Sequence, residues 1–300
     1  MNIKKVVIGT WPISGDFGKV NLTTIQQTIE KCYDVGFKQF DTAPSYGQGF
    51  AELILGNVLM GKHDCLINTK IGNIPFFGKS FLINDLKMSI ENSLARLKGD
   101  CINILFLHNP RNEIENYDEI FELMEKLKKE GKIRHSGLSK ARGVDYGAVT
   151  DLNQFDYIQD DVNLLYLKPI LSKSSFDYKF MARSPLASGL LSGKVNNKTQ
   201  FLDGDHRSTW LKGERLSSLL KRIKIIDKLS NIPISSLSRR LLLNHSMIDN
   251  VIFGVKRPEH VDDIINDCNL KIENEEKFFQ KIVELHHCDF GLINEKHLGY

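Results

Sequence analysis

Eight short apolar runs, rich in β-branched residues, recur along the chain, and most are followed by a segment whose apolar residues return every three or four positions. The runs cover residues 6–9, 39–42, 65–70, 102–108, 133–139, 157–162, 180–184 and 251–254. Strands that are apolar on both faces must be covered on both, and strand–helix alternation of this kind builds a parallel sheet under a layer of helices. The spacing predicts helices over 23–35, 51–59, 84–97, 117–130, 216–229 and 260–266, shorter ones at 144–152 and 164–171, and additional ones at 235–244 and 275–286. Three hundred residues would suit two domains of about 150 each. No Pro/Gly/Ser-rich linker divides the chain, however, and one closed barrel takes this length readily. The expected fold class is therefore α/β, a (β/α)8 TIM barrel in a single domain over residues 1–300, with extra helices and long βα loops.

Composition narrows the function. With 41% hydrophobic and 26% charged residues the chain is neither disordered nor fibrous. Forty Lys and Arg against 37 Asp and Glu leave +3, too little for a general field that would gather nucleic acid or an anionic membrane. An anionic ligand must be held locally. No stretch approaches the roughly 20 apolar residues of a membrane span, and the N-terminal apolar run is too short for a secretion signal, so a cytoplasmic location is expected. Cys32, Cys65, Cys101, Cys268 and Cys288 are odd in number and widely spaced, which reads as reduced thiols.

Several motifs fail on inspection. Gly47-Gln48-Gly49 opens like a dinucleotide fingerprint, but Glu52 stands where the third glycine would pack helix on strand. Residues 188–194 resemble a phosphate loop that begins with Ser188 rather than Gly and lacks the hydroxyl after Lys194. Adjacent His286, His287, Cys288 and Asp289 diverge on a helix, so no metal site is expected there. Gly137-Leu138-Ser139 lacks the closing glycine of a nucleophile elbow.

In a βα barrel the working side chains lie at the C-terminal ends of the strands. Those ends offer Asp41 with Tyr46 in the loop beyond it, Lys70, His108, Ser139-Lys140, Gln159, Arg183-Ser184-Pro185 and Gly254. An acid, a phenol, an amine and an imidazole on neighbouring strand ends can move a proton. A tyrosine of pKa about 10 becomes a better acid or base when an ammonium stabilises its phenolate, a role open to Lys70. Asp41 would hold Lys70 charged, and His108 would orient a substrate carbonyl.

These residues resemble the aldo-keto reductases, NAD(P)H-dependent carbonyl reductases built on this barrel. The match runs through Gly9-Thr10-Trp11, the segment 40–47 with Glu52 and Gly56 after it, Thr69-Lys70, the segment 105–110, residues 131–134 leading to Gly137-Leu138-Ser139, and Ser184-Pro185-Leu186 leading to Gly189-Leu190-Leu191. The resemblance implies a catalytic set of Asp41, Tyr46, Lys70 and His108, with Tyr46 the proton donor. For the cofactor it implies Gly9, Thr10, Trp11 and Asp41 on the nicotinamide side, with Ser139 and Gln159 at the carboxamide. Lys140 replaces the usual asparagine, and Arg183 stands where many members stack an aromatic ring. A guanidinium there would favour the neutral reduced nicotinamide over its cationic oxidised form.

Ser184, Pro185, Leu186, Ser188, Gly189, Leu191 and Lys194 match the loop that clasps the pyrophosphate. Gly254, Lys256 and Arg257 precede a helix near His260, an arrangement that suits an adenosine 2′-phosphate and argues for NADPH, with NADH as the other possible cofactor. His260 and Asp263 depart from the family's Arg and Glu in that helix. Substrate contacts are expected from Trp11, Tyr46, Phe76, Phe77, His108 and Trp210, with Asn109, Arg111 and the loop 196–213 shaping selectivity. A small carbonyl compound is the expected partner, with neither nucleic acid nor membrane; oligomeric state is left open. The alternatives are a sugar dehydrogenase working oxidatively and a cofactor-sensing regulatory subunit.

Overall fold

The computed structural model describes residues 3–111, 113–148, 150–171 and 176–292. Eight parallel strands, β1 Val6–Gly9, β2 Gln39–Asp41, β3 Leu66–Ile71, β4 Ile102–His108, β5 Ile133–Ser139, β6 Tyr157–Asp161, β7 Lys179–Arg183 and β8 Asn250–Gly254, close in chain order into a barrel. The expected fold class is borne out, and each strand begins and ends within one residue of the position its apolar run marked. Around the barrel lie α1 Leu22–Asp34, α2 Phe50–Leu59, α3 Ile83–Leu97, α4 Tyr117–Lys129, the one-turn α5 Lys168–Leu171, α6 Gly213–Asp227, α7 Ile234–Asn244, α8 Pro258–Asn269 and α9 Glu275–His287. Asn21 and Asn116 cap α1 and α4 by accepting backbone N–H groups of Thr24 and Asp118.

Two expected helices shrink. Residues 144–152 form 3₁₀ turns at Tyr146–Ala148 and Leu152–Gln154, with Val149 outside the described residues, and 164–171 keeps only α5. Gly143, Gly147 and the Asp151 side chain, which caps Asn153, break the first; Pro169 lies inside the second. A small hairpin, Asn73–Ile74 with Gly78–Lys79, follows β3.

Alternation along the strands positions the site. The barrel interior is filled by Val7, Ile104, Phe106, Tyr157, Met181 and Ile252, apart from the larger core between strands and helices. A β carbon on Gly137 would lie 2.4 Å from the Phe106 ring, so only glycine leaves room for that side chain inside. Two residues further along the same face each series turns polar: Phe106 leads to His108, Gly137 to Ser139, Tyr157 to Gln159 and then Asp161, and Met181 to Arg183. Parallel register sets His108 beside Ser139, Ser139 beside Gln159, and Asp161 beside Arg183. The apolar plug thus ends under a polar floor. The five cysteines are free thiols, and among the described residues no helix is long and apolar enough to cross a membrane.

Candidate active site

Lys70 Nζ donates to Asp41 Oδ1 at 2.5 Å and to Thr42 O at 2.7 Å, the two charged side chains being 1% and 4% exposed. Desolvation pulls the ammonium down, but the Asp41 carboxylate and Tyr46 together outweigh it and Lys70 stays above the ordinary lysine range. The ammonium lies 4.8 Å from the centre of the Tyr46 ring. Desolvation raises the Tyr46 phenol by more than Lys70 lowers it. This reverses the lowering expected from Lys70 alone and keeps the phenol protonated at neutral pH. Burial, followed by the charges of Lys70, Arg183 and Lys79, pushes the His108 imidazole well below its usual value, so it is neutral. Its Nδ1 is buried without a hydrogen-bond partner among the described residues, and its ring stands edge-on to Tyr46 with centroids 6.1 Å apart.

Ser139 and Gln159 join this group through one another. Gln159 Nε2 donates to Asp41 Oδ2 at 2.9 Å, Ser139 Oγ donates to Gln159 Oε1 at 2.9 Å, and Arg183 Nη1 donates to Ser139 Oγ at 2.5 Å. Arg183 also donates to Lys140 O at 2.6 Å and pairs with Asp161 at 3.2 Å. That carboxylate offsets part of the guanidinium charge on which the expected preference for reduced nicotinamide rests. Desolvation opposes ionisation of Asp161, yet Arg183 and Arg142 hold its carboxyl well below the usual range.

Above this floor a cleft of about 1350 Å³ runs from Tyr46 and His108 to Arg257 and His260. Gly9, Trp11, Asp41, Ser139, Gln159, Arg183, Ser184, Pro185, Leu186, Ser188, Gly189, Lys194, Gly254, Lys256, Asp263 and Trp210 also line it. Positive φ at Ser184, Ala187, Ser188 and Gly189 curls this stretch into a concave turn of the kind that receives anions. At the far end α8 begins without a side-chain cap, beside the half-exposed Arg257. Length, curvature and charge fit a phosphorylated dinucleotide.

Several expected contacts are placed elsewhere. Phe76 and Phe77 are 84% and 88% exposed at the hairpin turn and do not line the cleft. Thr10 is buried, donating to Asp41 O at 3.1 Å, and Leu191 is buried in the core, so neither lines the cleft. Lys140 lies outside it, paired with Asp160 at 3.1 Å. Lys256 donates its ammonium to the carbonyls of Phe17 and Gly18, at 2.8 and 3.4 Å, while Arg257, Lys194 and Arg239 also line the cleft and act on His260 at its distal end. His260 Nδ1 accepts the N–H of Lys256 at 3.2 Å, and burial with Arg257 nearby lowers its pKa. Glu52, conspicuous in the sequence, is structural, accepting from Thr69 at 2.5 Å and Arg96 at 2.7 Å.

Arg142, Tyr146, Asp161 and Asp16 carry no mark in the sequence as site residues, and His206 does so only as part of the selectivity loop 196–213. Trp11 donates to Asp16 Oδ2 at 2.9 Å, stacks on Tyr46 with centroids 5.7 Å apart, and packs against His206 at 4.6 Å. His206 N–H reaches Asp16 O at 3.0 Å and Phe17 bridges to Asp205, so the loops after β1 and β7 fasten to each other. The signal that was available is Asp161, which sits two residues beyond Gln159 on the same strand face.

A closed parallel barrel with a buried Lys–Asp pair under a tyrosine, at one end of a long anion-fitting cleft, defines a barrel oxidoreductase. The chain belongs to the aldo/keto reductase family, whose sequence profile matches residues 5–286, and it is accordingly an NAD(P)-dependent oxidoreductase. It is 27% identical to the aldo-keto reductase YhdN of Bacillus subtilis over 86% of this chain and 83% of that one. Among solved structures it is similar to the glycerol dehydrogenase of Gluconobacter oxydans, with TM-score 0.75, 24% identity, and 94% and 92% of the two chains covered. It is also similar to an aldo-keto reductase of Klebsiella pneumoniae in complex with NADPH, with TM-score 0.65, 22% identity, and 94% and 90% covered.

Proposed function

We propose that this protein reduces an aldehyde or ketone to the alcohol, the whole chain acting as one cytoplasmic catalytic unit with NADPH. The Lys70–Asp41 pair beneath a protonated Tyr46 carries the reading. When bound, the reduced nicotinamide supplies hydride to the carbonyl carbon. Gly9, Trp11, Ser139, Gln159 and Arg183 would border that ring, the turn at 184–194 would hold the pyrophosphate, and Arg257 with the start of α8 would take the 2′-phosphate. The likeness to the Klebsiella enzyme, which was solved in complex with NADPH, supports that cofactor.

Tyr46 Oη gives its proton to the carbonyl oxygen, and Lys70 stabilises the phenolate left behind. Asp41 keeps Lys70 charged and in place. His108, neutral and lining the cleft beside Tyr46, donates its imidazole N–H to the same oxygen and fixes its direction. Oxidation is the second reading, favoured by the glycerol dehydrogenase likeness; in that direction Tyr46 would act as the base, a role the raised phenol pKa makes harder at neutral pH.

The test is NADPH and NADH oxidation over a panel of aldehydes and ketones, with alcohols and sugars run in reverse. Tyr46→Phe is expected to lower turnover by about 10²–10⁴-fold while NADPH binding, followed by fluorescence, is retained. A Tyr46→Phe enzyme near the wild-type rate refutes the assignment.

A further inference from the structure

Arg111 and Arg142 both line the cleft, and each follows the last residue of a barrel strand by three positions, His108 of β4 and Ser139 of β5. Buried Tyr146 fastens the two loops together: its Oη donates to Pro110 O and accepts the N–H of Ala141 at 2.9 Å. The two arginines therefore belong to one wall. In the closed barrel that wall lies opposite β8 and β1, away from the turn after β7 and the α8 start proposed for the phosphates.

Among the described residues the carboxylates on this wall are shared or already engaged. Asp161 serves two guanidiniums, Arg142 at 2.7 Å and Arg183 at 3.2 Å. Lys79 is matched by Glu113 at 3.2 Å. Glu113 also accepts the backbone N–H of Arg111, but among the described residues the Arg111 guanidinium has no hydrogen-bond or ion-pair partner. Across the cleft lining, ten Lys and Arg stand against five Asp.

We infer that the substrate carries an anionic group, a carboxylate or a phosphate, held by Arg111 and Arg142 while its carbonyl lies against Tyr46 and His108. The inference rests on the proposed carbonyl reduction. Guanidinium forks match the oxygens of either anion, and a local surplus of charge draws such ligands in at low salt.

The experiment compares kcat/KM for 4-oxobutanoate with butanal, and for glyceraldehyde 3-phosphate with glyceraldehyde, at saturating NADPH. The anionic member of at least one pair is expected to be preferred by about tenfold or more, the preference shrinking as salt rises. Which pair shows it distinguishes carboxylate from phosphate. Arg111→Gln should lower the anionic-to-neutral ratio by about tenfold, and Arg111→Lys should keep most of it. Equal values within both pairs, or a ratio indifferent to Arg111→Gln, overturn the inference and leave the reductase reading standing. A binding arm separates the two: calorimetric titration of succinate and of glycerol 3-phosphate into enzyme saturated with NADP⁺. If no carbonyl is reduced yet this binding weakens in Arg111→Gln, the reductase reading fails and the anion site stands. Binding that ignores Arg111→Gln overturns the site.

Discussion

Gln159 Nε2 donates to Asp41 Oδ2 at 2.9 Å, joining residues 118 positions apart across the barrel end. Lys70 occupies the other oxygen of the same carboxylate. Asp41 is therefore satisfied from two sides, and its direction, with that of Lys70, depends on an amide from the sixth strand. Gln159→Leu keeps the volume roughly and removes the donor. It is expected to cost about 1–3 kcal/mol, read as a lower urea midpoint, together with a fall in kcat. An unchanged midpoint and rate would mean that Gln159 plays no part in holding the pair.

Breaking the Lys70–Asp41 pair from one side leaves a carboxylate in a site that admits almost no water. Lys70→Met should destabilise by about 3–5 kcal/mol, while Lys70→Met with Asp41→Leu should recover much of that and still lack turnover. Urea unfolding of both variants checks the first part and carbonyl-dependent NADPH oxidation the second. If the double variant unfolds as readily as the single one, the cost is not that of an uncompensated charge.

Much of this was legible from residue order. Strands β1 and β4 match their runs to the residue because buried, almost wholly apolar stretches carry them, whereas β5 does so despite Arg134, His135 and Ser136 in its first half. Asp41, Tyr46, Lys70 and His108 followed once strand ends were aligned, since period-two alternation puts them on the inner face or in the loop just beyond. What escaped depends on contacts between distant loops. Arg142 matters through Asp161, 19 residues on, and Tyr146 through Pro110, 36 residues back. Lys256 looked like a phosphate ligand because a sequence counts charges and does not show the carbonyls of Phe17 and Gly18 that take one up. Phe76 and Phe77 looked like substrate walls, but a left-handed Phe76 in the hairpin turn leaves both in solvent.

Among the described residues, His108, His135, His206, His245 and His260 have pKa values lowered chiefly by burial. In the unfolded chain each returns to about 6.5. Between the folded and unfolded values the unfolded state binds more protons, so stability rises with pH there. It is fully present above about 6.5 and lost as pH falls from that value through the folded ones, before Asp156 and Asp161, which are lowered, begin to titrate. Tm is expected to drop between pH 7.5 and pH 5, and His206→Gln should flatten the slope. A Tm that holds level over that range would show that these rings are not desolvated as described.

Helices α2 and α3 meet at Gly56, where an added β carbon would lie 2.4 Å from Arg96 O and 2.6 Å from Leu97 C. Both neighbours are backbone and cannot rotate away. Alanine would favour helix by about 0.8–1.0 kcal/mol over glycine, but prising the helices apart costs about 1–3 kcal/mol and disturbs more than the local turn. Arg96, which donates to buried Glu52 from the same helix, would shift with it, and Glu52 in turn holds Thr69 beside Lys70. Gly56→Ala is thus expected to lower both Tm and turnover, whereas Gly99→Ala, whose nearest contact would be Leu97 O at 4.0 Å, should change neither appreciably. Equal behaviour of the two variants would show that the α2–α3 approach does not require glycine and that the path from Gly56 to Lys70 carries no strain.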